Sequence, residues 1–393
     1  MMLRVLFAAA LIAAGAGCTT SSSRLPVPEA DVAVATATIA PTTAIGAIRL
    51  WGDAAPAWFD QLVSLPPAVL KARAPGIYGK PHTYLALSGG GENGAYGAGV
   101  LNGWTAAGNR PEFTFVTGIS TGSLIAPFAF LGPKYDYVLT EIYSKYSTKD
   151  LVRKKPILSI LTSDSAADTA PLKALIVRYV DANVIAAIAE EHRKGRRLWI
   201  GTTNLDAGRP VIWNIGEIAS SGDPKAPALI HDIILASASI PGAFPPVRIN
   251  VDVNGQSFDE LHVDGGTTSQ VFFYPAGVDW KKALKALKVP GKPAVYVVRN
   301  ASLDATYEPT KQKIIPIASR SISALIRTQG IGDLYRIYSN AQRDGVAYHV
   351  TYIPSDFDMK SKEAFDTVYM RALYDVGYEL GKSGAAWHSK PPS

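Results

Sequence analysis

Apolar and polar positions along this chain fall into short runs broken by turn signals, and the runs alternate between two periods. "TYLALS" (83–88), "FTFVTGI" (113–119), "RLWIGTTN" (197–204), "PAVYVVRN" (293–300) and "VAYHVTYIP" (346–354) are short and rich in β-branched and aromatic residues, which predicts strands. Between them lie longer stretches with helical spacing. These are 93–108, "TGSLIAPFAFLG" (121–132), one continuous helical stretch over 170–195 stopped by Gly195, 226–239 before Pro241, 314–343, and a last helix within 361–384 ending at Gly384. "VRINVDVNGQSFDELHVDGG" (247–266) reads as a hairpin turned by Asn254-Gly255, because both positions of a tight hairpin turn need positive φ. In the last helix Phe365, Tyr369, Leu373, Val376 and Leu380 form a stripe, which is read as core. Strands alternating with helices predict an α/β fold, a sheet covered on both faces.

The first strand breaks into "GGGENG" (89–94). Gly89, Gly91 and Gly94 have the G-x-G-x-x-G spacing that cradles a dinucleotide pyrophosphate. A dinucleotide site also needs an acidic residue at the end of the second strand. Glu112 stands at its start instead, and the strand end reads "GISTG". Gly118-Ile119-Ser120-Thr121-Gly122 is G-x-S-x-G, the sharp strand-to-helix turn that exposes a nucleophilic serine. Side chains at Gly118 and Gly122 would collide with such a turn. The glycine loop then has another use. Bare backbone N–H groups can approach a substrate carbonyl and hold its oxyanion.

A base for Ser120 has two readings. His349 could complete a Ser-Asp-His triad of the α/β-hydrolase kind, although it sits inside an alternating strand run. Asp264, in "DGG" with Gly265 and Gly266, follows a strand and is the carboxylate candidate. His82, His192, His231, His262 and His388 have no better placement than His349.

Composition narrows the remaining options. The chain has 393 residues, 47% of them hydrophobic, enough for a substantial core. Its formal charge is +6, yet no dense basic tract with interleaved aromatics occurs, and "HRKGRR" (192–197) reads as a solvated helix end, so nothing points to nucleic acid. No close His/Asp/Glu cluster suggests a metal, and acyl-enzyme chemistry needs no cofactor. The first 17 residues read as an export signal. They end at Cys18, the only cysteine, in "GAGC", which resembles a bacterial lipoprotein cleavage box with Gly15 where an aliphatic residue is usual. Residues 18–45, rich in Thr, Ala, Ser and Pro, read as a lipidated N-terminus and flexible tether, and 46–393 as one hydrolase domain. This organisation implies an exported protein, anchored as a lipoprotein to a membrane surface and facing the periplasm or cell surface.

"GGGENG", "GISTG" and "DGG", in that order, resemble the patatin-like phospholipase family, as do "GTTNLDAG" (201–208) and "ASASIPGAFPPV" (236–247). The resemblance spans roughly residues 83–300 and is weak beyond. It implies a three-layer α/β/α sandwich around a mostly parallel sheet, and a Ser120–Asp264 dyad without histidine. It also implies an oxyanion hole around Gly89, Gly90, Gly91, Asn93 and Gly94, and a phospholipid or other lipid ester substrate. Asn93 stands where the family usually carries Arg or Lys, so a donor is kept and a charge is lost. Against this stand the triad esterase using His349 and a catalytically silent lipid-binding protein that keeps the fold.

Overall fold

The computed structural model describes residues 24–42, 47–155, 164–305, 307 and 309–391. Cys18 and the expected export signal lie outside the described residues.

Ten strands form one sheet: β1 (Thr36–Ala37), β2 (Arg49–Trp51), β3 (Thr83–Leu87), β4 (Phe115–Ile119), β5 (Arg197–Asn204), β6 (Arg209–Asn214), β7 (Val247–Val253), β8 (Gln256–Asp264), β9 (Ala294–Arg299) and β10 (Ala347–Tyr352). The centre is parallel, in the order β10–β9–β3–β4–β5. The β7–β8 hairpin, β6, β2 and β1 extend it antiparallel. Asn254 and Gly255, at φ 53° and 85°, turn the hairpin as their sequence predicts.

Alternation along the strands sends side chains into two cores. Leu85, Leu87, Val116, Leu198 and Ile200 face one. There they meet α1 (Gly94–Ala106), α2 (Thr121–Leu131), α3 (Asp136–Lys145), α6 (Ala226–Ser237) and α8 (Thr367–Ser383). Tyr84, Ala86, Phe115, Trp199, Val295 and Val297 face the other, against Phe59, Trp280 and the C-terminal half of α7 (Ile314–Asp344). The result is the expected three-layer arrangement.

Three expectations change. The stretch 170–195 is two helices, α4 (Ala170–Tyr179) and α5 (Ala182–Arg193). Asp181 interrupts it, because its carboxylate caps α5 through the Val184 N–H at 2.9 Å. The expected tether is docked over its described part. Arg24 pairs with Asp206 and Asp259, Thr36–Ala37 adds a strand to β7, and Ile39 is buried. A composition rich in Ala, Thr and Pro hid a segment held by strand pairing, two ion pairs and the buried Ala35, Ala37 and Ile39. In the stripe of the last helix, Tyr369 and Leu373 are buried core, but Phe365 precedes the helix, and Asp366 caps it through the Val368 and Tyr369 N–H groups.

Helices α1 and α8 touch backbone to backbone. A Cβ at Gly99 would lie 2.1 Å from the Tyr374 carbonyl oxygen, and one at Gly103 2.0 Å from that of Tyr378. Gly377 and Gly381 return the fit against Tyr96 and Val100 at 2.3 Å each. Only residues without side chains permit this approach.

Candidate active site

Strand register brings the serine and the aspartate together. β3 and β4 are parallel neighbours with Leu87 opposite Gly118, so the glycine loop and the serine turn leave the same sheet edge. On β5, Gly201 pairs with Ile119 of β4, and the next residue, Thr202, pairs with Asp264 of β8. β6 occupies the other side of β5 throughout this stretch. β4 and β8 therefore run head-on along one edge of β5 and end beside each other, which sets Ser120 against Asp264.

Ser120 holds φ 54° and ψ −125°, a conformation that costs a non-glycine residue on the order of 1–3 kcal/mol and clusters at functional sites. Its flanking glycines are sterically required. A Cβ at Gly118 would lie 2.4 Å from the Gly122 oxygen, and one at Gly122 2.4 Å from the Leu87 oxygen. Ser120 stands at the N-terminus of α2, where the helix dipole favours negative charge.

Asp264 is buried, and burial pushes its carboxyl up to about 7. A hydrogen bond with the Ser120 side chain and one from the Gly266 N–H (2.7 Å to Oδ1) pull the other way and offset only part of this. No histidine among the described residues bonds Ser120 or Asp264. His349 stacks on Tyr296 at 4.6 Å in β10, three strands from β4, and each of the other histidines packs on or bonds to different partners.

The glycine loop lies against this pair. A Cβ on Gly89 would stand 3.1 Å from the Ser120 Cβ, and Gly91 lines a cavity together with Ser120. Gly90 (φ 156°) threads past the Asn300 carbonyl with no room for a side chain. Gly91 (φ 57°) has open space around it. Among the described residues, neither the Gly90 nor the Gly91 N–H has a protein acceptor. The cavity holds about 70 Å³ of free space and runs from Ser120 between Leu124, Phe128, Ile142, Leu172, Ile176 and Phe365. Beyond Ser120 and its neighbours its walls are almost wholly aliphatic and aromatic, which suits an acyl chain.

Residues 85–276 match the family described as patatin-like phospholipase. Over that stretch the chain is similar to a patatin-like phospholipase domain. That family is one of lipid acyl hydrolases. No curated protein matches the chain. Among solved structures, VipD from Legionella pneumophila aligns over 77% of this chain and 67% of its own, at 12% identity and a TM-score of 0.36.

Within the patatin-like domain, residues that motif reading passed over brace the site. Ser237, fully buried, accepts the Ser120 N–H at 3.0 Å and donates to the Gly201 carbonyl at 2.7 Å. The Ser239 carbonyl accepts the Asp264 N–H at 2.9 Å. Both serines lie in "ASASIPG", which carried a family resemblance but no assigned task. Gln270 joins the glycine loop and the D-G-G turn to α7. Its carbonyl accepts the Gly89 N–H (3.1 Å), its amide donates to the Gly266 carbonyl (2.6 Å), and its own N–H is held by Asp333 of α7 (2.6 Å). Nothing around Gln270 in the sequence marks it, since two of its three partners, Gly89 and Asp333, are more than 60 residues distant.

Two members of the expected oxyanion set are placed for packing. The Asn93 amide oxygen accepts the Tyr369 hydroxyl at 2.7 Å, which turns it toward α8. Gly94 leaves room for Thr121 and Tyr143, whose hydroxyls bond each other. Among the described residues no group of three His, Cys, Asp or Glu side chains is placed to hold a metal ion, and no helix is long and apolar enough to cross a membrane.

Proposed function

We propose that the chain is an exported serine acyl hydrolase acting on carboxylic esters of lipids through Ser120 and Asp264. The observation that carries this reading is the contact between a strained serine and a buried carboxyl poised near neutrality, at the mouth of an apolar cavity. The Ser120 Oγ attacks the ester carbonyl carbon as its proton passes to Asp264. The oxyanion is held by the Gly90 and Gly91 N–H groups. Collapse expels the alcohol, which takes the proton from Asp264 and leaves an acyl-Ser120. Water then attacks the acyl carbon, gives a proton to Asp264, and releases the fatty acid as Ser120 recovers its proton. A carboxyl near pH 7 suits both transfers, because a base works best with a pKa close to the working pH.

A fluorophosphonate probe, with ester turnover measured alongside, tests the reading. Wild type should be labelled at Ser120 and should hydrolyse esters, whereas Ser120→Ala should do neither. His349→Ala should stay within about tenfold of wild type, the rate equivalent of a mild packing change. Labelling and turnover that survive in Ser120→Ala would end the proposal, and turnover that depends on His349 would favour the triad. An unlabelled, inactive wild type would leave the silent lipid-binding reading. The export and anchoring part rests on the apolar N-terminal run and the sole thiol, Cys18. A fatty-acid analogue supplied to cells should mark wild type and not Cys18→Ser.

A further inference from the structure

Helix α7 is far longer than the sheet it crosses. Its 31 residues span about 46 Å at 1.5 Å per residue. The strands it connects, β9 and β10, have six residues each, about 20 Å. Because β9 and β10 are parallel, α7 runs from their C-terminal edge back to their N-terminal edge. Its last part packs on the sheet through Leu334, Ile337 and Ala341, all buried, and ends at Gly345. The excess length therefore projects from its N-terminal end, past the sheet edge that carries Ser120, Asp264 and the glycine loop. Burial changes where this geometry requires. Gly330 is buried against the Arg299 guanidinium and Gln329 bonds Gln270 at 3.3 Å, whereas almost all of the described residues from 314 to 328 are exposed.

The projecting half is amphipathic. Ile314, Ala318, Ile322 and Leu325 recur at helical spacing on one face, with Ile326 at its margin, while Ser319, Ser323, Arg320 and Arg327 take the opposite face. Ile314 is 88% exposed, Leu325 69% and Ile322 56%, and the preceding loop exposes Tyr307. From residue 309 to 332 the sequence has Lys311, Lys313, Arg320 and Arg327 and no Asp or Glu. An apolar face on a helical stretch that carries Lys and Arg and no acidic residue is complementary to an anionic lipid surface, into which such a face can sink.

We infer that the N-terminal half of α7 is an interfacial helix that docks this protein on an anionic lipid surface through its apolar face, bringing the Ser120 edge beside that surface. The inference rests on the hydrolase reading for its purpose, but its binding step does not depend on catalysis. It also differs from the lipid anchor expected at Cys18, because it orients the active site rather than tethering the chain.

The test uses the single cysteine to advantage. In the full chain carrying Cys18→Ser, Leu325→Cys or Ser323→Cys gives one attachment point for an environment-sensitive fluorophore. Vesicles of phosphatidylcholine containing phosphatidylglycerol should shift the label at 325 to the blue and leave that at 323 unmoved. Pure phosphatidylcholine should shift neither, and salt should weaken the effect. In parallel, Ile322→Glu with Leu325→Glu should lower hydrolysis of anionic vesicle lipid by at least about tenfold. Turnover of a monomeric short-chain ester should be unchanged, which also reports that the variant folds. No shift at 325, or equal shifts at 325 and 323, would overturn the inference. So would a shift in buffer alone that grows with protein concentration, because the face would then cover a second copy of the chain. A wild type inactive on every ester would sink the hydrolase reading while the fluorescence still judged the helix.

Discussion

The two ends of the sheet both enclose cavities, and the larger one lacks the chemistry. At the N-terminal edge of the strands a cleft of about 440 Å³ opens among Trp58, Phe59, Trp199, Trp280 and Arg197. At the other edge the cavity beside Ser120 is about 70 Å³. Each end also buries a carboxyl, and their environments are opposite. Burial raises both. At Glu217 hydrogen bonds from His192 and from the Thr42 hydroxyl and N–H overcome it and bring the group down to about 2. At Asp264 one backbone N–H and the serine hydroxyl do not suffice, and the group rests near 7. Glu217 is a satisfied structural anion. Asp264 is an anion held short of donors, beside a serine held in strain. On the proposed function, the pairing of an under-satisfied carboxyl with a strained serine, and not volume, marks the reactive end.

Exchanging the carboxyls for amides should break this contrast most sharply. Asp264→Asn should lower ester turnover by roughly 10³-fold or more, as loss of a base does in other serine hydrolases. Glu217→Gln should leave turnover close to wild type and destabilise the fold by about 1–3 kcal/mol through lost charged hydrogen bonds. Turnover and thermal melts of the two variants, taken side by side, check both halves. Loss of activity in the Glu217 variant with a normal melt would erase the distinction.

Next in size is the glycine loop. Gly91 has room for a methyl group but a φ that an L-residue adopts poorly, so Gly91→Ala should tilt its N–H and lower kcat by about 10²–10³-fold, the effect of losing one oxyanion donor. The melt should move little. At Gly90 a Cβ would meet the Asn300 carbonyl at 2.1 Å, so Gly90→Ala should cost stability as well as turnover. Equal melts for the two variants would show that the loop relaxes freely.

The smallest effect sharpens the comparison through pH. With the base near 7, kcat/KM should rise about tenfold per pH unit below that value and level off above it. Stability should run the other way. The folded carboxyl binds its proton more tightly than the unfolded one, whose pKa is about 3.9. The stability this supplies is full below about pH 4 and is lost as pH rises through about 7. Asp264→Asn should therefore gain on wild type in melting temperature between pH 5 and 8. A rate profile flat across that range would remove Asp264 from the role of base.

Much of this site was legible because its parts are local. Each motif is a strand end followed by a turn whose glycines are dictated by nearby backbone, and runs such as "TYLALS" and "FTFVTGI" announce their strands by density of apolar side chains. What stayed hidden depends on distance in sequence. That β4 and β8 meet end to end on β5 follows from register across more than 140 residues, which no local pattern encodes. Ser237 looks like any helix-end serine until its bonds to Ser120 and Gly201 are seen. Asp181 was lost inside a helical pattern because its neighbours kept the spacing. The docking of residues 24–42 was hidden because its buried side chains, Ala35, Ala37 and Ile39, are mostly small and its ion pairs reach residues more than 180 positions away. The setting of Asn93 was hidden for another reason. The motif supplied the position, and a tyrosine on α8 decided where its side chain turned.

The glycine interlock of α1 with α8 bears on severability. The glycine loop runs directly into α1, so the helix that fixes the direction of the loop is itself seated in a groove made by residues 374–382. Those residues lie about a hundred positions beyond the matched stretch 85–276. A fragment cut at that boundary would contain every motif residue and yet leave α1 with a bared strip of backbone and small side chains, built to receive another helix and nothing else. The folded unit around the site is therefore larger than the unit of recognisable sequence, and the far end of the chain seats the helix that directs the glycine loop.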